Sequence, residues 1–200
     1  MITVLRSELY RTLTIRSSWV SMGVAGAVGL VFGWFSDDFW ALFAGLGAFG
    51  VAVVIASQHY QHRTAVLLFL GQPRRLRALA AQCLVAVVLT LVITAVSGLT
   101  QFTTSSGNRY VATLTVVPLV ALFGVANATV IRKPVWLLGG YAGWLIFVEG
   151  LIGKLESPLP FSSFLEAATG DPNDLLTFAG WTAGALLLAA WSIRRDLTTE

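Results

Sequence analysis

Residues 57–82 read SQHYQHRTAVLLFLGQPRRLRALAAQ. They form the longest polar interruption on one side of an otherwise apolar chain. Both histidines, His59 and His62, lie here, together with Arg63, Arg74, Arg75 and Arg77, and the stretch contains no acid. Apolar runs flank it on each side. Which side of a membrane it occupies fixes the direction of every other segment.

The flanking runs set the class. Of 200 residues, 56% are hydrophobic and 12% charged, whereas a soluble domain carries about 25% charged residues. Mean hydropathy is +0.77. Apolar runs of about 18 or more residues recur, each long enough to cross a hydrocarbon layer of about 30 Å. The expected fold is all-α: a polytopic membrane protein in a single domain. The pI near 9.4 does not point to nucleic acid, because the bases sit in short loops between apolar runs, as membrane orientation predicts. The lone Cys83 lies within an apolar run, facing lipid or a neighbouring helix, so no disulfide framework is possible. The first apolar run is too long for a cleavable signal and lacks a convincing cleavage site.

Working outward, the spacing predicts six spans at about Ser18–Phe35, Phe39–Ala56, Leu79–Leu99, Tyr110–Ile131, Val135–Ile152 and Leu175–Ile193. The acidic turn Ser36-Asp37-Asp38 makes the first two a hairpin, with Trp34 and Trp40 as interface aromatics. Pro118 is expected to kink the fourth span unless neighbours satisfy the freed carbonyl. Before the spans, Ile2, Leu5, Leu9 and Leu13 recur at helical steps while Arg6, Arg11 and Arg16 fall elsewhere. That pattern fits a basic amphipathic helix over residues 1–16 lying in the interface; the alternative is a plain charged tail. Residues 57–78 form the long loop between spans two and three. Residues 153–174 form a second polar segment, in which Phe161 to Ala168 can make one or two helical turns.

Charge orients the chain. With the N-terminus inside, only Arg109 and Lys154 of the 13 Lys and Arg residues fall outside. The positive-inside bias therefore places residues 57–78 and both termini in the cytoplasm, in a multi-pass plasma-membrane protein.

Signs of chemistry are few. No Gly-x-x-x-x-Gly-Lys-Ser/Thr stretch is present, so the chain lacks the usual phosphate cradle. His59 and His62 are three apart but lack the acidic or thiol neighbours a catalytic zinc needs, and no metal is expected. Glu149 is the only acid inside a span. An intramembrane carboxylate marks a pathway or a gate by default; near the outer end of its span, it alternatively reaches water or pairs with Lys154. Gly29-x-x-x-Gly33, Gly139-x-x-x-Gly143 and Gly180-x-x-x-Gly184 are small-residue patterns that permit close helix approach.

Taken together, the chain resembles the type-2 ATP-binding-cassette exporter permeases, in the short six-span form common in actinobacteria. The N-terminal Arg6-Ser7-Glu8-Leu9 with Arg11, and Arg16-Ser17-Ser18-Trp19, look like the family's elbow helix and first span. The loop is the most specific match: Tyr60-Gln61-His62-Arg63-Thr64, then Pro73-Arg74-Arg75 and Leu79-Ala80-Ala81. Val148-Glu149-Gly150-Leu151 and Pro158-Leu159-Pro160 also look like the family. His59 stands where the family usually has Glu, and Gln82 where it usually has Lys; both changes remove charge that the resemblance places at the interface with the motor.

The resemblance implies a transport subunit with no enzymatic activity of its own. A separate nucleotide-binding ATPase, carrying ATP and Mg, would dock under a short coupling helix that includes His59, Tyr60, His62, Arg63, Thr64, Pro73, Arg74 and Arg75. A second permease, identical or related, would complete the pathway among membrane lipids. The expected cargo is amphipathic or lipid-like, such as a drug or antibiotic moved out of the cell. The alternative is a non-transport scaffold or sensor accessory that anchors a cytoplasmic partner by the same loop.

Overall fold

Helices dominate because a segment surrounded by hydrocarbon must satisfy its own backbone. The computed structural model describes residues 2–61, 75–101, 107–155 and 158–195. Among them are eight α-helices and no strand: α1 (Ile2–Thr14), α2 (Arg16–Gly33), α3 (Asp37–Gln61), α4 (Arg75–Ser97), α5 (Asn108–Ile131), α6 (Pro134–Gly143), α7 (Pro160–Ala167) and α8 (Pro172–Arg195). A 3-10 turn, Gly98–Thr100, ends α4, and a π-helical stretch, Trp144–Ile152, continues α6. The protein is an all-α polytopic membrane protein. Five of its helical segments are long and apolar enough to cross alone, and α1 with α2 passes the same test as a pair bent by 79°.

The bend gives α1 the orientation of a helix lying across the end of the bundle. Its surface differs from the expected apolar stripe. Glu8 and Thr12 are buried, whereas Leu13 and Tyr10 face outward. Arg11 donates to the Glu8 carboxylate at 3.0 Å, while Arg6 and Arg16 are exposed. The polar residues therefore pack against the bundle, leaving part of the leucine row to the surroundings.

α3 is the central post. Its apolar window is 61% buried against 11% for the α6 span. A four-residue repeat of small side chains, Ala44, Ala48, Ala52 and Ala56, runs along it, all buried. Neighbours approach closely there: a methyl on Gly124 would come within 3.0 Å of Ala52, and one on Gly47 within 3.0 Å of Ala25. Such approach matters because lipid is as apolar as leucine, so packing rather than the hydrophobic effect holds the spans together.

Polar contacts fix which ends meet. At one end, Gln58 donates to Ser17 and Ser18 at 3.1 and 2.8 Å. At the other, Trp40 donates to Ser97 at 3.4 Å, Gln101 to the Gly33 carbonyl at 2.9 Å, and Arg109 pairs with Asp38 at 2.8 Å. The bundle thus alternates up and down, with Arg109 and Lys154 opposite the end that carries Arg16, Arg77, Arg132, Lys133, Arg194 and Arg195.

Several boundaries shift from their sequence expectation. α3 continues through the start of the polar stretch to Gln61 and α4 begins at Arg75, so both ends of the 57–78 segment are helical, and residues 62–74 lie outside the described residues. Ser57 and Gln58 tolerate a helical place because their side chains bond to Val54, Ser17 and Ser18. Pro118 does not break α5, which runs unbroken to Ile131. Arg132 then takes a left-handed φ of 58° and donates to Ala128, and Pro134 opens α6 at a position that needs no amide hydrogen. Cys83 is buried among helices and does not face lipid.

Candidate functional site: a carboxylate-capped plug and an apolar groove

Glu149 is fully buried, toward the end of the bundle that carries Arg109 and Lys154. It lies in the π-helical stretch, whose wide turns show in the bond from the Gly153 amide to the Val148 carbonyl at 2.8 Å. In an α-helix, residues five apart point roughly 140° away from each other; wider π winding brings them onto one face. Trp144 and Glu149 are such a pair, and the indole donates to the carboxylate at 2.9 Å.

The remaining acceptor positions go to α7. The amides of Phe161 and Ser162 donate at 3.2 and 2.5 Å, and the Ser162 hydroxyl donates at 2.8 Å. A carboxylate offers about four acceptor sites, and all are used. Leu159, at the N-cap of α7, has no side chain able to cap it. Glu149 fills that role from another span, where a negative group also suits the positive end of the helix dipole. It neither reaches water nor pairs with Lys154, the two simpler fates its sequence position allowed. Lys154 is exposed and leaves the π stretch in a left-handed conformation, φ 49°.

Helix α7 is an inserted plug. Pro160 through Phe164 and Ala167 are buried. The Phe164 ring occupies the space that a side chain on Gly45 of α3 would need, and its centroid lies 6.1 Å from that of Phe178 on α8. Phe161 packs edge-on against Phe49 and Tyr141 at 5.9 and 5.6 Å. Trp181 of α8 donates to the Pro158 carbonyl at 3.1 Å. One indole, Trp181, thus holds the start of the plug directly, while the other, Trp144, holds the carboxylate that caps it.

Below the plug, α5, α6 and α8 enclose a groove of about 1040 Å³. Its walls are apolar and aromatic, with Trp144, Trp181 and Pro160 at the plug end and Val130, Ile131 and Trp136 at the basic end. One polar pair lies within it: Tyr141 donates to Asn127 at 2.9 Å, and Asn127 donates to the Phe123 carbonyl at 2.8 Å. Gly140, Gly180 and Gly184 line the groove, and a methyl on any of them would meet nothing within 4 Å. Gly139 and Gly143 are equally open. Two of the three small-residue patterns therefore leave space instead of closing it; in the third, Gly29 is tightly packed, its added methyl falling 2.9 Å from Ser97.

The residues singled out in the loop are placed only in part. His59 and Tyr60 lie in the last turn of α3 and Arg75 opens α4, while His62, Arg63, Thr64, Pro73 and Arg74 lie outside the described residues. Gln82 is buried two turns into α4, which places it inside the bundle rather than at a surface where charge would meet a partner. Among the described residues no three of His, Cys, Asp and Glu converge as metal ligands. Sequence reasoning found Glu149 and the helical turns after Pro160, but not the groove, whose residues are separated in sequence and carry no motif. No protein-family model and no curated protein matches the chain.

Proposed function

We propose that the chain is the membrane-spanning subunit of an ATP-driven exporter in the plasma membrane, with its basic end cytoplasmic and its motor on a separate protein. The observation that carries this reading is the shared position of two features: α1, turned 79° from α2, packs against α4, and α4 opens with Arg75 at the end where α3 closes with His59, Tyr60 and Gln61. The Tyr60–Thr64 and Pro73–Arg75 residues on which the resemblance rests begin and end the segment that joins those two helices. A helix lying across the bundle end beside a basic loop offers a docking platform through which a motor can tilt spans as rigid bodies. A lipid-facing apolar groove supports an amphipathic cargo over a sugar or ion.

The test is reconstitution. Co-expressed with the ATPase that copurifies with it, the chain should drive ATP-dependent movement of a fluorescent short-chain phospholipid across vesicles. Arg74→Ala/Arg75→Ala should lower both ATPase stimulation and transport. A chain that isolates with a partner lacking ATPase activity, and moves nothing, is instead the anchoring scaffold.

A further inference from the structure

The groove between α5, α6 and α8 has opposite character at its two ends. At the inner end, Lys133 directly precedes α6 and Arg194 and Arg195 close α8, all three exposed, with Arg132 beside them. The Arg195 guanidinium lies 4.5 Å over the Trp191 ring. Asp196 and Glu200 follow in sequence, and the balance stays positive. At the plug end the single exposed Lys154 is outnumbered by Glu166, Asp171 and Asp174, while Glu149 is sealed behind the plug. The groove therefore runs from a net positive end to a net negative one, and an anionic head is favoured at the first. In the up-and-down order α5 and α8 run in the same direction, so Arg132 and Arg194 fall at the same end of the bundle, and Thr182 in the middle of α8 donates to the Leu119 carbonyl of α5 at 3.4 Å.

The middle of the groove is shaped for a chain. Gly140, Gly180 and Gly184 keep it open, and Trp136, Trp144 and Trp181 provide its aromatic boundaries. Its length runs from the basic end to the plug, the direction in which an acyl chain hangs from a headgroup.

We propose that the α5–α6–α8 groove is a selective site for an anionic phospholipid of the leaflet at the basic end, its acyl chain along Gly180 and Gly184 and its phosphate at Lys133 and Arg194. Ordinary boundary lipid would show no headgroup preference; this site does. The proposal stands whether or not the chain is an exporter subunit, because lipid occupancy and coupled transport are read separately.

The test uses the full chain in phosphatidylcholine vesicles, titrated with dibrominated phosphatidylglycerol or dibrominated phosphatidylcholine while tryptophan fluorescence is followed. The groove indoles should be quenched at a lower mole fraction of the anionic lipid, by about fivefold for each basic residue engaged. Gly184→Leu, whose Cβ meets nothing within 4 Å and whose branched end projects into the groove, should abolish the preference. Lys133→Gln/Arg194→Gln should reduce it toward that of phosphatidylcholine, with thermal unfolding in detergent reporting that each variant is folded. Equal quenching by the two lipids overturns the proposal, as does a preference that survives the charge substitutions. Absence of quenching by either lipid, with the chain dimeric by cross-linking, assigns the groove to a second copy and also overturns it.

Discussion

Glu149 carries four donors and no counter-charge, an arrangement in which each partner depends on the same side chain. Removing it strands the Phe161 and Ser162 amides, the Ser162 hydroxyl and the Trp144 indole in a buried place. Unsatisfied buried donors cost about 1–3 kcal/mol each and are not additive, so Glu149→Ala should destabilise the protein by about 3 kcal/mol. Glu149→Gln keeps one acceptor oxygen and turns an amide group toward backbone donors, so an intermediate loss is expected. Unfolding in mixed detergent micelles reads both. If the two variants unfold like the parent, the cap is not what holds α7. By contrast, the Asp38–Arg109 pair leaves the aspartate side chain 81% exposed, and exposed pairs contribute only about 0–1 kcal/mol.

At the scale of elements, the plug and the central post are coupled through one missing side chain. Gly45→Ala places a methyl in the volume of the Phe164 ring, so the substitution should push α7 outward and destabilise it. Phe164→Ala alone leaves a cavity. Combined, the two changes relieve each other, and the double variant should be more stable than the sum of the singles by about 1 kcal/mol or more. A purely additive result would mean that α7 does not seat against Gly45. The elements themselves were legible in sequence: hydropathy marked every span, and the leucine spacing marked α1. What joins them was not. The cap on α7 comes from a residue eleven positions before Pro160 in a stretch wound as a π-helix, and neither the winding nor the pairing has a local signature. The glycine patterns misled for a related reason. A small residue permits close approach but does not supply the neighbour, and at Gly139, Gly143, Gly180 and Gly184 no neighbour comes.

For the molecule as a whole, the alternation of spans makes a labelling pattern. Cys83 is the sole cysteine and is buried, so the folded protein should be silent to a membrane-impermeant maleimide until denatured. Lys133→Cys and Lys154→Cys introduce exposed thiols at opposite ends, and each should label from one side of the membrane only, the two sides being different. Labelling of both from one side would break the up-and-down order. That order also bears on how the end that carries α7 is made during synthesis. An eight-residue helix is far too short to persist unaided, since isolated helices below about 12–15 residues are marginal. α7 takes its cap from the span before it and its tether, Trp181, from the span after it. It is therefore the last element at its end of the bundle to form, and a nascent chain halted before α8 should carry residues 158–168 open to protease until the final crossing closes over them.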